Sequence, residues 1–222
     1  MMKHVVKAMV LAVTMFGASA ACAQENITLS IRGVIERQAH LYEASGGTGA
    51  VLAHQSGYDA ASWRDFANRL QKAGVTALAL ESVSGEDVGS GIDFLRQLGK
   101  RRIVLIGASI GGAAVQSAAW DKGEAQADLV ILLGTAEGNM ADAVDVDKLF
   151  VVSEGDFFRA RTHSSFQKAS EPKELMVYPG SAHGQDLFND VFGEKLAKLL
   201  LSKIAAVDSA KPVPDREKAP KP

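Results

Sequence analysis

Three uninterrupted apolar runs constrain the fold of this 222-residue chain more than any other feature. They cover residues 103–106, 129–133 and 149–152, and helix-type segments or connections separate them. A strand of a parallel sheet is covered on both faces, so it loses the alternation of apolar and polar residues seen in half-exposed strands. The three runs therefore predict strands of a parallel sheet. Alternating strands and helices favour an α/β domain with right-handed crossovers.

Other segments extend this pattern towards both ends of the chain. The apolar residues Ile27, Leu29 and Ile31 alternate with polar ones, as in antiparallel strands with one exposed face. Further short strands are predicted at residues 50–53, 75–80 and 175–177. A helix is predicted at residues 157–169, and helical spacing of apolar residues predicts three more, with faces formed by Trp63, Phe66, Ala67 and Leu70, by Val88, Ile92 and Leu95, and by Phe188, Phe192, Leu196, Leu199 and Leu200.

The predicted fold is therefore an α/β fold built on a mostly parallel twisted sheet of about seven to eight strands. Helices cover both faces of this sheet, and its N-terminal strands are antiparallel. Apolar residues make up 47% of the chain and charged residues 23%, as in an ordinary globular protein. We expect residues 24–207 to form this single domain.

The first 23 residues have the pattern of a secretory signal peptide. Lys3 and Lys7 precede an apolar run at residues 8–16, and Ala21-Cys22-Ala23 forms a small-residue cleavage motif. The run is much shorter than the roughly 20 residues that cross a bilayer, so cleavage after Ala23 is favoured over anchoring. A second cleavage motif at residues 18–20 and lipidation of Cys22 are alternatives. We expect a periplasmic or secreted protein.

Composition excludes several other classes of function. Cleavage after Ala23 removes Cys22, the only cysteine, so the mature chain has neither a disulfide framework nor a thiol nucleophile. The formal net charge of −2 offers no basic field for nucleic acid. After the signal peptide no segment is long and apolar enough to be an integral membrane span. Residues 208–222 are rich in lysine and proline and predict a disordered tail. The oligomeric state stays open.

Residues 107–112, here called the elbow, contain a G-x-S-x-G motif. They read Gly-Ala-Ser-Ile-Gly-Gly and stand between the apolar run 103–106 and a helix-type segment. At a strand-to-helix junction this motif places the serine hydroxyl on a tight turn above the sheet edge. The amide of Ile110 opens the helix and can stabilise a developing oxyanion. Ser109 is therefore the candidate nucleophile and Ile110 a candidate oxyanion donor.

A serine hydroxyl needs a base within hydrogen-bond reach. His183 is the candidate base, because it lies in a loop after the last short predicted strand. Functional groups of open α/β sheets gather at the carboxyl ends of the strands. We expect His40 and His163 to be ordinary surface or packed histidines. His54 ends a strand directly, and we expect it to hold the following loop.

The base in turn needs an acid that orients it. Asp156 follows the strand predicted at residues 149–152 and is the candidate. Glu154 is the nearest substitute and Glu137 a more distant one. The structural alternative is that Asp156 only caps the following helix, a position that aspartate favours. The chain order of serine, aspartate and histidine is the one found in α/β-hydrolases.

The second oxyanion donor is expected from the loop after the strand at residues 50–53. We call residues 54–58 of this loop the oxyanion loop; they read His-Gln-Ser-Gly-Tyr. The backbone amide of Ser56 is the candidate donor, and that of Gln55 is the alternative one residue earlier. A simple glycine-containing turn is the structural alternative.

Taken together, these motifs resemble the α/β-hydrolase superfamily, and in particular its small, lidless carboxylesterase and dienelactone-hydrolase-like members. The resemblance spans about residues 27–204 and lies in residues 51–57 with Trp63, the elbow, residues 153–156 and residues 179–184. One departure is Gln55, which stands where most members have glycine, so the second oxyanion donor is open. The motifs indicate the superfamily without indicating a substrate.

The resemblance implies a serine hydrolase that cleaves a small-molecule carboxylic ester or thioester through an acyl-enzyme, without metal or organic cofactor. A peptidase or amidase would use the same three residues. A non-catalytic binding protein on a degenerate hydrolase scaffold is the alternative of another class. A dinucleotide-binding domain lacks its glycine fingerprint here.

The spacing of the motifs also predicts the shape of the site. About 47 residues separate Ser109 from Asp156, and one helix, one strand and their connections account for them. This leaves little room for an inserted cap domain, so we expect an open, shallow site. Phe157 and Phe158, beside Asp156, are candidates for an acyl pocket, although core packing is the favoured explanation.

Overall fold

The computed structural model describes residues 24–31, 33–121, 124–136 and 138–209. The predicted signal peptide, residues 210–222 of the predicted tail and the alternative acid Glu137 lie outside the described residues. The strands are β1 Gln24–Ile31, β2 Ile35–Tyr42, β3 Thr48–Ala53, β4 Thr76–Leu80, β5 Arg102–Ala108, β6 Trp120–Asp121, β7 Glu124–Ala125, β8 Leu129–Leu133, β9 Asp147–Ser153 and β10 Lys173–Tyr178. The helices are α1 Arg64–Lys72, α2 Gly85–Gln97, α3 Ile110–Ala118, α4 Arg159–Lys168 and α5 Gly193–Ser209.

Eight of these strands form one sheet in the order β1-β2-β4-β3-β5-β8-β9-β10. The N-terminal strands β1 and β2 pair antiparallel with each other, and β2 pairs antiparallel with β4. All remaining pairs are parallel. This is the predicted mostly parallel sheet with antiparallel N-terminal strands. The short strands β6 and β7 form a separate two-stranded ribbon.

Two apolar cores lie on opposite faces of the sheet. One contains Trp63, which directly precedes α1, Phe66 of α1, and Leu196 and Leu200 of α5. The other contains residues of α2 and α3, and Phe166 of α4 packs against it. Strands β3, β4 and β8 are buried along their whole length, because helices cover both of their faces. This double covering explains why their sequences do not alternate.

The carboxyl ends of three central strands meet at one edge of the sheet. Strand β5 pairs with β3 on one side, where Ala53 lies opposite Gly107. On the other side it pairs with β8, where Leu133 lies opposite Ala108. The elbow therefore emerges between the ends of β3 and β8. The oxyanion loop follows β3 directly, so both predicted oxyanion donors start from this edge.

The structure corrects two predicted boundaries. The closing helix was predicted to include Phe188 and Phe192, but α5 begins at Gly193 and Phe188 ends a separate 3₁₀ turn, Gly184–Phe188. At its other end α5 runs to Ser209, so residues 208 and 209 are helical although the tail was predicted to begin at 208.

Among the described residues, no helix is both long enough and apolar enough to cross a membrane.

Candidate active site

Ser109 has a backbone conformation that no other described non-glycine residue shares. Its φ is +52° and its ψ is −113° at the junction of β5 and α3. Its amide donates to the carbonyl of Leu133 at 2.9 Å, and its carbonyl accepts from Gly112 and Ala136 at 3.0 Å each. A positive φ costs an L-residue about 1–3 kcal/mol and persists only where the surroundings enforce it. These three hydrogen bonds, to β8, to α3 and to the loop after β8, provide that constraint.

Two glycines of the elbow allow β5, α3 and the end of β3 to approach one another this closely. A Cβ atom on Gly107 would lie 2.4 Å from the carbonyl oxygen of Gly111. A Cβ atom on Gly111 would lie 2.3 Å from the carbonyl oxygen of Ala53 and 2.6 Å from that of His54. Any side chain at these positions would push the serine turn away from the oxyanion loop. The G-x-S-x-G pattern is therefore a steric requirement of this junction.

Asp156 and His183 form a buried pair beside the elbow. Nδ1 of His183 lies 2.9 Å from Oδ1 and 3.0 Å from Oδ2 of Asp156. The side chain of Asp156 is fully buried, whereas that of His183 is 13% exposed. Oδ1 of Asp156 also accepts the amide hydrogen of Phe158 at 2.7 Å. The carboxylate is thus held on one side by backbone and faces the imidazole on the other, which leaves Nε2 of His183 as the ring nitrogen that does not face Asp156.

Hydrogen bonds between the loops after β9 and β10 hold this pair together. The amides of Glu154 and Gly155 donate to the carbonyls of Tyr178 and Gly180 at 2.8 Å each, and the Ser153 hydroxyl donates to the carbonyl of Ala182 at 2.8 Å. The alternative acid Glu154 is exposed on this connection. Among the described residues its carboxylate makes no hydrogen bond or ion pair with His183. Of the described carboxylates proposed from sequence, Asp156 alone contacts the candidate base.

Ser109 is brought close to the pair through Gly134, the residue after β8. The Ser109 amide bonds to Leu133, and a Cβ atom on Gly134 would lie 2.6 Å from Oδ2 of Asp156 and 3.0 Å from Nδ1 of His183. Within the described part of the chain, the Ser109 hydroxyl makes no hydrogen bond to His183 or to any other residue. The three predicted residues therefore share one edge of the sheet, with only the aspartate and histidine in direct contact.

The oxyanion candidates differ in whether their amides are available. Ile110 is the first residue of α3, so its amide has no acceptor within the helix. The Gln55 amide, the alternative donor, is occupied because it donates to Oε1 of Gln185 at 2.9 Å. The Ser56 amide has no partner among the described residues. Ser56 is therefore the better candidate for the second donor.

Gln55 and Gln185 tie the oxyanion loop to the histidine loop by a reciprocal pair of hydrogen bonds. Each side-chain oxygen accepts from the other residue's amide, at 2.9 Å and 2.7 Å, and both residues are buried. Nε2 of Gln185 donates to the Ser62 hydroxyl at 2.8 Å. A Cβ atom on Gly184 would lie 2.1 Å from Oε1 of Gln55, so only glycine fits beside this glutamine pair. The departure at Gln55 is thus a structural connection between the two loops.

Replacing Gln185 with leucine is expected to lower the free energy of unfolding by about 2–3 kcal/mol. The buried Gln55 amide would lose its acceptor, and an unsatisfied buried group costs about 1–3 kcal/mol. Urea denaturation measures the effect. Gln97→Leu, at an exposed position of α2, is the matched control and should change stability by less than about 0.5 kcal/mol. Equal effects of the two substitutions would contradict a connecting role for the glutamine pair.

A second contact between the same loops involves Tyr58. Its hydroxyl donates to Oδ1 of Asp186, and Nε2 of Gln55 lies 3.3 Å from Oδ2 of the same carboxylate. The hydrogen bond to Asp186, aided by desolvation, raises the pKa of the Tyr58 hydroxyl. Tyr58 therefore stays a neutral donor at ordinary pH. Nothing in the residue pattern pointed to Gln185 or Asp186, although their position just after His183 is a signal in retrospect.

The remaining histidines have structural surroundings, as expected. His54 is buried, and its two ring nitrogens lie 2.8 Å and 3.3 Å from the carbonyl oxygens of Gln55 and Glu81. It thus holds the start of the oxyanion loop. His40 lies 3.4 Å from the Glu81 carboxylate, and His163 is within α4. Among the described residues no group of three or more His, Cys, Asp or Glu side chains is placed to hold a metal ion.

The site lies at the carboxyl edge of the sheet, where Ser109 itself is buried, with 4% of its surface exposed. In the described part between Ser109 and Asp156, α3 is the only helix, so no helical insertion covers Ser109. Phe157 is 71% exposed, which contradicts the favoured explanation that it packs in the core. Its ring stands 4.2 Å from the His183 ring at an interplanar angle of 37°. Within the described residues this segment has no helical cap, as predicted, whereas the exposure of Phe157 beside His183 was not predicted.

Solved structures with the same fold include proteins of low sequence identity. A dienelactone hydrolase from Anabaena variabilis superposes with a TM-score of 0.70 at 20% identity, covering 83% of this chain and 98% of that one. An esterase from Exiguobacterium antarcticum gives 0.64 at 15%, covering 82% and 100%. A hypothetical protein from Pseudomonas aeruginosa gives 0.72 at 15%, covering 92% and 100%. The chain therefore has the α/β-hydrolase fold. No protein-family model and no curated protein matches the sequence.

Proposed function

We propose that this protein is an exported serine hydrolase that cleaves a carboxylic ester or thioester of a small or accessible substrate. The observation that carries the proposal is the positive φ of Ser109 at a strand-to-helix junction beside the buried Asp156–His183 pair. A strained serine at the edge of an α/β sheet is expected where its hydroxyl must be presented to a substrate. The esterase and dienelactone hydrolase of the same fold agree with this reaction class.

The proposed reaction begins with proton transfer from the Ser109 hydroxyl to Nε2 of His183. The serine oxygen attacks the ester carbonyl, and the amides of Ile110 and Ser56 donate to the oxyanion that forms. Asp156 accepts from Nδ1 of His183 and stabilises the imidazolium. Collapse of the tetrahedral intermediate re-forms the carbonyl and breaks the bond to the leaving oxygen, which takes the proton from Nε2.

Hydrolysis of the acyl-enzyme repeats these steps with water. His183 removes a proton from the water as its oxygen attacks the acyl carbonyl, and the Ser109 oxygen then leaves with that proton. Among the described residues the Ser109 hydroxyl has no hydrogen-bond partner. Hydrogen bonds between catalytic groups are often long before substrate binds and tighten only when it does.

Export is proposed from the N-terminal sequence. The positive start, the apolar run and the motif ending at Ala23 favour cleavage before Gln24. Expression in a two-membrane bacterium, followed by intact-mass measurement of the periplasmic fraction, tests this directly. A chain that begins at Gln24 is expected. Retention of the uncleaved chain in the cytoplasm would contradict the export proposal.

Labelling by a fluorophosphonate probe tests the activated serine. We expect covalent modification of the mature protein, with peptide mass spectrometry locating the label on Ser109, because only a serine paired with a base reacts quickly. Ser202→Ala, an exposed serine of α5, should label like wild type, and Ser109→Ala should not label. Hydrolysis of p-nitrophenyl esters of increasing acyl length then measures turnover. Absence of labelling would favour a non-catalytic protein on this scaffold.

A further inference from the structure

The proposed reaction defines which part of a substrate must lie beside His183, and the following inference rests on that reaction. Nδ1 of His183 faces Asp156, so Nε2 is the nitrogen that protonates the leaving oxygen. The leaving alcohol must therefore lie next to the His183 ring. The acyl carbonyl oxygen points instead to the amides of Ile110 and Ser56. Side chains that contact His183 are thus placed to meet the alcohol part of an ester.

Phe157 is such a side chain, and its position is unusual for a phenylalanine. It is 71% exposed, although a residue of this size is commonly buried. Its ring stands 4.2 Å from the His183 ring and 4.7 Å from the Phe158 ring. The Phe157 ring therefore packs on one side against His183, the candidate base, while most of the Phe157 surface faces solvent.

Phe158 supports this arrangement from within. Its ring meets the His183 ring edge-on at 5.0 Å, and the Arg161 guanidinium carbon lies 4.6 Å from its centroid. Its amide donates to Asp156. Phe158 is therefore tied to the acid, the base and α4, and it leaves Phe157 as the outer member of the aromatic group. The exposure of Phe157 is thus a consequence of a fixed local structure.

Two other exposed apolar side chains belong to the loops of the site. Ile110 of the elbow is 41% exposed and Tyr58 of the oxyanion loop is 38% exposed. Each of the three loops that would surround a bound ester thus presents one apolar or aromatic side chain to solvent. Of these three side chains, Phe157 is the one whose ring contacts His183.

We propose that the substrate is an ester whose alcohol part carries an aromatic ring, which packs against Phe157 while its oxygen faces Nε2 of His183. Aromatic rings gain from offset or edge-to-face packing beyond the area they bury. An aliphatic alcohol group of the same size is stabilised only by the apolar area that it buries. The Phe157 ring is thus a specificity-determining group for the alcohol side, and the acyl side is bounded by other residues.

The test compares acetates that share one acyl group and differ in their alcohol. Benzyl, cyclohexylmethyl and ethyl acetate are hydrolysed by wild type, Phe157→Ala, Phe157→Leu and the control Val34→Ala. Val34 is 85% exposed in the turn between β1 and β2, at the opposite end of the strand order from β9 and β10, so its truncation removes exposed apolar surface only. The measured quantity is the ratio of kcat/KM for the benzyl ester to that for each aliphatic ester.

In wild type we expect benzyl acetate to be preferred over both aliphatic acetates. Phe157→Ala should lower the benzyl-to-ethyl ratio about five- to tenfold, in line with the strength of an aromatic pair. Compared with Phe157→Ala, Phe157→Leu should recover more of the kcat/KM for the cyclohexylmethyl ester than of that for the benzyl ester. Val34→Ala should leave every ratio unchanged. An equal loss for all three esters in Phe157→Ala would overturn the proposal, because Phe157 would then only shield the Asp156–His183 pair.

A second measurement separates this inference from the proposed function. If the acetates turn over too slowly, benzyl alcohol and ethanol are compared as competitors of fluorophosphonate labelling at Ser109. Benzyl alcohol should slow labelling of wild type more than of Phe157→Ala, and equal slowing would overturn the aromatic site. Failure of the probe to label wild type would instead overturn the serine hydrolase, and this inference with it.

Discussion

Replacing Ser109 with alanine is expected to lower kcat for ester hydrolysis by about 10⁶-fold, to the level that binding and oxyanion donors alone can support. His183 would keep its hydrogen bond to Asp156 but would have no hydroxyl to deprotonate. The Ser109 hydroxyl has no partner among the described residues, so its loss removes no stabilising hydrogen bond. The measurement is kcat on a p-nitrophenyl ester, with circular dichroism to show that the fold is kept.

The same position should show that a serine in this backbone conformation costs stability. Glycine at position 109 also removes the hydroxyl, but it adopts a φ of +52° without the strain that a Cβ atom brings. After allowing for the greater flexibility of unfolded glycine, we expect Ser109→Gly to be about 1 kcal/mol more stable than Ser109→Ala, with both inactive. Urea denaturation measures the difference. A glycine variant less stable than the alanine variant would contradict backbone strain at the elbow.

The central sheet could be predicted from the sequence because its strands are covered on both faces. The run at residues 129–133 coincides with β8, and the run at 149–152 lies inside β9. Such runs have few other ways to be buried in a chain of this length. The ribbon of β6 and β7 was not predicted, since strands of two residues have no periodicity to detect.

The start of the closing helix shows where periodicity misleads. Phe188 and Phe192 continue the helical spacing of α5, yet Phe188 packs 4.9 Å from Phe66 and Phe192 packs 5.7 Å from Tyr178. A Cβ atom on Gly193 would lie 2.0 Å from the Phe188 carbonyl oxygen, so the chain turns sharply there. Apolar spacing records which side chains are buried. It does not distinguish a helix from a 3₁₀ turn that buries the same residues.

The candidate site was predictable where chemistry and strand ends coincide. Ser109, Asp156 and His183 each follow a strand, and the parallel order of the sheet brings them to one edge. Gln185 could not be found in this way, because its partner Gln55 is 130 residues away and glutamine marks no particular chemistry. The prediction that Phe157 packs in the core was wrong for a related reason. Whether a phenylalanine is buried depends on what covers it, and here no described segment does.

Replacing Asp156 with asparagine is expected to lower kcat by about 10⁴-fold while leaving the fold intact. The Phe158 amide donates to Oδ1 at 2.7 Å, so the asparagine oxygen should take that place and its NH₂ group should face Nδ1 of His183. Nδ1 would then have to accept a hydrogen bond, which puts the proton on Nε2. A histidine protonated on Nε2 cannot accept the proton of the Ser109 hydroxyl, so the base would be held in the wrong tautomer.

Glu154→Gln is the matched control for this substitution, because it also converts a carboxylate of the same loop to an amide. Glu154 is exposed, and among the described residues its carboxylate makes no hydrogen bond or ion pair with His183, so we expect its variant to keep kcat within about twofold of wild type. The two kcat values are measured on one p-nitrophenyl ester at the same pH. A loss below tenfold in Asp156→Asn, with a large loss in Glu154→Gln, would mean that Glu154 orients the base. Large loss in Asp156→Asn alone would place the orienting charge at the buried carboxylate, where the backbone of Phe158 already holds it.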